Sequence, residues 1–125
     1  RPIDAKRFDG HWYKFYPSNG PWIAAKQKCE EMNGYLVCIE TEKERKWLVK
    51  LLDRGVVSWV GGKDTKKEGQ PLWLNGKPVL LKVYNNTKQN DYLGMNGQGT
   101  FNFRPRDGFV SKMQDVVGFI CEWDK

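Results

Sequence analysis

The chain has 125 residues, enough for one domain with a modest core. Its formal charge of +6 would suit nucleic acid, anionic glycans or a negative cell surface, but basic and acidic residues alternate in most stretches. The charge therefore reads as surface solubilisation, and no nucleic-acid partner is expected. No run approaches the roughly 18 apolar residues of a helical membrane span, so direct membrane insertion is excluded for a helix.

Neither Met nor a signal segment opens the chain, which reads as a processed protein or a piece of a longer one. Residues 1–10 read as an approach segment and 11–125 as the domain. His11-Trp-Tyr-Lys-Phe-Tyr16 predicts a strand, closed by the turn residues Pro17-Ser-Asn-Gly20. A helix is predicted from about Pro21 to Met32, because Trp22, Ala25, Cys29 and Met32 share one face; Asn33-Gly34 stops it. Tyr35–Ile39 reads as a short buried strand.

Thr41-Glu-Lys-Glu44 is a capping box, in which the Thr41 hydroxyl accepts from the Glu44 amide and Glu44 reaches back to the Thr41 amide. The helix that follows is predicted to run to about Asp53, with Trp47, Leu48, Leu51 and Leu52 as its apolar stripe. From Val56 on the pattern is β. Val57–Val60 ends in Gly61-Gly62, and Leu72-Trp-Leu74 leads into the hairpin signal Asn75-Gly76. Val79–Tyr84 is either a strand or an extended loop. Tyr92–Met95, Phe101–Phe103 and Val116–Trp123 are further short apolar runs. One strand, two helices and then many short strands make an α+β layout. Trp47, Trp59 and Trp73 lie within apolar runs or stripes and read as core.

The three cysteines, Cys29, Cys38 and Cys121, contain no Cys-x-x-Cys pair, and His11 is the only histidine. A Cys/His zinc site and a histidine-based nucleophilic triad both lack their parts, and no catalytic residue is expected. An odd count leaves one pair plus a free thiol, or three free thiols.

Five segments in order resemble the C-type lectin-like domains. They are Trp22-Ile-Ala-Ala-x-x-x-Cys29, Asn33-Gly-Tyr-Leu-Val-Cys-Ile39, Trp59-Val-Gly-Gly62, Glu68-Gly-Gln-Pro-Leu-Trp-Leu-Asn-Gly76 and Val117-Gly-Phe-Ile-Cys-Glu122. The resemblance covers about residues 11–125. It implies a C-type-lectin-like fold, with two helices in the first half, short antiparallel strands and a long-loop region. It implies a Cys29–Cys121 disulfide, worth about 4–5 kcal/mol in the chain-entropy model, and an oxidising compartment. Cys38 then remains as an unpaired core thiol.

The chain also departs from that family. A second disulfide is missing: Tyr92 stands where one half-cystine would fall. Sugar-binding members hold calcium with Glu-Pro-Asn or Gln-Pro-Asp in the long loop and with Trp-Asn-Asp on a following strand. Here residues 76–90 contain no acid, and Phe101-Asn102-Phe103 replaces the second tripeptide. Calcium wants six to eight oxygen ligands, several of them carboxylates. Asp91 and Asp107 alone make no such cage, so no metal and no cofactor is expected.

The candidate ligand surface is the long-loop face, about residues 77–108. Tyr84, Asn85, Asn86, Lys88, Asn90, Asp91 and Asn102 offer amides, an aromatic ring and charges for a polar ligand. Arg104 or Arg106 could grip a carboxylate, sulfate or phosphate through two parallel hydrogen bonds. A plain hydrophilic loop would share this composition. Asn85-Asn-Thr87 is also a formal N-glycosylation sequon.

The expectation is a non-catalytic, calcium-independent binding module for a glycan or protein surface, placed outside the cytoplasm as a secreted, periplasmic or cell-surface domain. The alternatives are a structural or assembly domain without its own ligand, and a calcium-dependent carbohydrate-binding lectin with an atypical site. Oligomeric state is left open.

Overall fold

Asp9-Gly10 reverses the chain with positive φ at both residues, 50° and 83°. A two-residue hairpin with right-handed strand twist needs this conformation, and Asp-Gly supplies it at little cost. The computed structural model describes residues 1–52, 56–66, 69–87, 90–105 and 116–124. It opens with the hairpin of β1 (Lys6–Phe8) and β2 (His11–Pro17), in which Phe8 faces His11. Residues 6–8 therefore belong to the sheet, although they read as part of an approach segment. β2 then runs antiparallel to the last strand, β9 (Gly118–Asp124), from the pair His11–Asp124 to the pair Pro17–Gly118.

Between these strands lie α1 (Trp22–Glu31), β3 (Tyr35–Leu36), α2 (Glu42–Leu51), β4 (Ser58–Lys63), β5 (Leu72–Trp73), β6 (Val83–Tyr84), β7 (Tyr92–Met95) and β8 (Phe101–Arg104). The strand order is β1-β2-β9-β4-β7-β8-β6, with β3 added to β9 and β5 to β4. The β4–β9 and β6–β8 pairs are parallel. This is the α+β architecture expected, with both helices in the first half. Of Val79–Tyr84 only the last two residues form a strand, because the Val79 N–H turns back to the Pro71 carbonyl at 3.1 Å.

α1 buries Trp22, Ala25 and Cys29. Cys29 is bonded to Cys121 on β9, closing a span of 92 residues, and Cys38 is a buried free thiol. α2 is capped by Thr41, whose Oγ1 accepts from the Glu44 N–H at 3.1 Å. The return half of the expected capping box does not form. Glu44 instead accepts from the Glu40 N–H at 2.9 Å and from the Tyr13 hydroxyl at 2.5 Å. Burial against β2 turns this carboxylate inward. α2 ends at Leu51, and Asp53 lies outside the described residues.

Two buried clusters make the core. One centres on Leu48, Val60, Trp73, Leu93 and Phe103, the other on Trp22, Trp59, Phe119, Trp123 and the disulfide. Each large indole that is buried near a chain crossing uses its polar edge. Trp22 donates to Val60 O at 2.8 Å, Trp59 to Gly20 O at 3.0 Å and Trp123 to Met32 O at 2.9 Å. This satisfies the N–H that would otherwise be costly to bury. Trp47 is half-buried and stacks on Phe8 with ring centroids 5.0 Å apart, so β1 shields the outer edge of α2.

Candidate functional site

The long-loop face is built where β6 lies parallel to β8, which sets Tyr84 in register with Asn102. Asn85 follows with φ of 62°, a left-handed turn that asparagine tolerates. Its side-chain amide donates to Asn102 Oδ1 at 2.9 Å. The Thr87 N–H then bonds to Asn85 O and the Asn90 N–H to Thr87 O. Tyr84 is 42% exposed and Leu80 is 82% exposed. The Lys82 ammonium sits 5.0 Å from the Tyr84 ring centroid, a cation–π contact. Beside them a shallow groove of about 180 Å³ runs between Glu42 and Arg45 of α2 and Lys82, Tyr84 and Thr100. Arg45 pairs with Glu42 and donates to Gly99 O at 3.0 Å, which fixes the groove wall.

Of the residues expected at this face, Tyr84, Asn85 and Asn102 come together. Asn86, Asn90 and Asp91 are partly buried in the loop. Arg104 departs from expectation: it is 2% exposed and lies against Gly94, so it is not a surface gripper of anions. On β8 it shares the face of Asn102, opposite Phe101 and Phe103, and it is buried there against Gly94, which leaves room for its stem. Lys88, Arg106 and Asp107 lie outside the described residues. Exposed Leu80 was missed, since an isolated leucine in a loop carries no periodic signal.

The residues do not fit a calcium ion of the family's sugar-binding kind. Asn102 Oδ1 is already engaged by Asn85. At the position of the family's carboxylate, Phe103 is fully buried. Elsewhere in the loop half, Asp64 is 2% exposed. Its Oδ2 accepts from the Gly69 N–H at 2.8 Å, and its own N–H donates to Asp91 O at 2.8 Å. Among the described residues its Oδ1 has no hydrogen-bond partner.

A second polar cavity, of about 130 Å³, lies between β2, α2 and β9. Glu122 on β9 is buried there. Its Oε1 accepts from the Cys38 N–H at 3.0 Å and its Oε2 meets His11 Nδ1 at 2.6 Å. Burial, reinforced by the nearby Glu44 charge, pushes the Glu122 carboxyl up to about 7. Burial also raises Glu44, Tyr13 and Tyr35 above their ordinary values, and it pushes the Cys38 thiol up to about 12. Such a thiol is inert as a nucleophile at neutral pH.

Comparison with known proteins matches residues 18–106 to the family model described as Lectin C-type domain. The chain is 35% identical over 100 residues to the human C-type lectin domain family 17, member A, covering 76% of the chain and 26% of that protein. It is 30% identical over 127 residues to the mouse low affinity immunoglobulin epsilon Fc receptor, covering 97% of the chain and 36% of that protein. It thus spans well under half the length of these two relatives. Among solved structures, the mouse scavenger receptor C-type lectin carbohydrate-recognition domain superposes with a TM-score of 0.83 at 25% identity, over 100% of this chain and 98% of that one.

Proposed function

The chain belongs to the C-type lectin domain family, and from that premise we propose that its long-loop face recognises a protein or glycan surface without calcium. Domains of this fold are binding modules, and this one is non-catalytic. The observation that carries the reading is the juxtaposition of exposed Tyr84 with the Asn85–Asn102 amide pair. An aromatic face flanked by amides suits both polypeptide and sugar, since it offers stacking area and oriented hydrogen-bond groups at small entropic cost. Exposed Leu80 on the same loop tilts the choice toward a protein. One relative is named as an immunoglobulin receptor and one structural neighbour as a carbohydrate-recognition domain, so both ligand classes occur around this fold. The Cys29–Cys121 bond supports a place outside the cytoplasm. No described helix is long and apolar enough to cross a membrane.

The experiment is a screen of protein and glycan arrays in chelator and again in calcium. Binding retained in chelator and lost in Tyr84→Ala supports the reading; binding only in calcium overturns it. A second reading, a calcium ion held by Asp64 and groups near Asp91, is favoured by the buried Asp64 Oδ1, which has no hydrogen-bond partner among the described residues. It predicts a calcium-dependent rise in melting temperature that disappears in Asp64→Asn.

A further inference from the structure

We propose that His11, Glu122 and Asp124 form a binding site for a divalent cation of the zinc class. The site stands apart from the long-loop face. Its geometry follows from strand register. His11 is paired directly with Asp124 across β2 and β9, and Glu122 lies two residues back along β9. Paired residues and i, i+2 residues share one face of a sheet, so all three side chains project together.

His11 Nδ1 lies 2.6 Å from Glu122 Oε2 and 3.2 Å from Asp124 Oδ1. One ligand atom from each residue falls within 4.8 Å of the other two. A tetrahedral zinc sits about 2.0–2.1 Å from nitrogen or oxygen ligands, which sets those ligands roughly 3.3 Å apart. The three groups need only small rotations to reach that spacing.

Two further observations point to a cation. Each carboxylate is already oriented by an outer partner, as ligands in metal sites are. The Tyr35 hydroxyl donates to Asp124 Oδ1 at 2.6 Å, and the Cys38 N–H donates to Glu122 Oε1 at 3.0 Å. The adjoining cavity is also short of positive charge. Asp9, Glu40, Glu44 and Glu122 line it, and among the described lining residues His11 is the only basic one, with Lys77 outside the lining pairing with Glu40 at 3.5 Å. Among the described residues neither Glu122 nor Asp124 pairs with Lys or Arg.

An imidazole nitrogen with two carboxylates suits zinc, whereas calcium takes six to eight oxygens. The cavity can supply water for the fourth position. His11 and Asp124 side chains are 41% and 71% exposed, which gives the ion a way in.

The test is calorimetric titration of the chain with zinc chloride and, separately, with calcium chloride, followed by cobalt substitution read in the visible spectrum. Expected are one zinc per chain, affinity at least tenfold weaker in His11→Ala and in Asp124→Asn, and a cobalt d–d band that vanishes in His11→Ala. Both substitutions fall at exposed groups, and circular dichroism checks that the fold persists. No saturable zinc heat, or zinc binding undiminished in His11→Ala, overturns the proposal. Neither substitution touches the long-loop face, so failure here leaves the ligand-binding reading standing, and the reverse.

Discussion

Asn85 donates its side-chain amide to Asn102 Oδ1 across 2.9 Å, tying the long loop to β8 beside Tyr84. Replacing either asparagine by alanine removes the same bond. Each single change is expected to weaken ligand binding, and the double variant to do little more than either. A double-mutant cycle should return a coupling of about 0.5–1.5 kcal/mol. Additive losses would mean that the two amides act separately.

Tyr84→Ala should separate binding from folding. The ring is exposed and outside both core clusters, so unfolding free energy should change by about 0.5 kcal/mol or less. Ligand affinity should fall by about 2 kcal/mol, as for an aromatic anchor. Urea denaturation and surface-plasmon binding measure the two.

Cys29→Ala with Cys121→Ala opens the 92-residue loop. The expected cost is about 4–5 kcal/mol, read as a lower urea midpoint. It is a large fraction of a small domain's stability, so the variant should be partly unfolded at body temperature.

Cys38 should resist alkylation in the folded protein. Its thiol is pushed up to about 12 by burial, so almost no thiolate exists at pH 8. Labelling with iodoacetamide should stay slow as pH rises through 9, then reach one equivalent once denaturant exposes the residue. Rapid native labelling at pH 8 would contradict the burial.

Gly61→Ala should be among the most damaging single-atom additions. A Cβ there would meet Leu36 O at 2.5 Å and Val37 O at 2.9 Å, backbone atoms with little freedom to retreat. A cost of about 1–3 kcal/mol or more is expected, measured as a lower thermal midpoint.

The helices were legible because Trp22, Ala25 and Cys29 repeat at helical spacing and Thr41 announces a cap. The disulfide came from resemblance and agrees with the structure. The β1–β2 hairpin was written in Asp9-Gly10 but went unread, because Lys6-Arg7-Phe8 looks too charged for a strand. Trp47 and Tyr13 supply the surface that makes it one. Arg104 and Glu122 mislead differently. A charged residue within an apolar run gives no sign that it will be covered, and both are buried. The meeting of His11 with Glu122, 111 positions apart, arises only when β2 closes against β9.

That closure also fixes how the molecule answers tension. His11 and Asp124 sit side by side, so force applied at these two residues opens the β2–β9 ladder one bond at a time, like a zip, rather than shearing it all at once. From the last strand the opening meets Cys121 within a few residues, and there the load passes through sulfur to Cys29. Everything between the two cysteines, the long-loop face included, hangs outside the line of force. Tension passing between the two ends of the domain therefore bypasses the surface that grips a ligand.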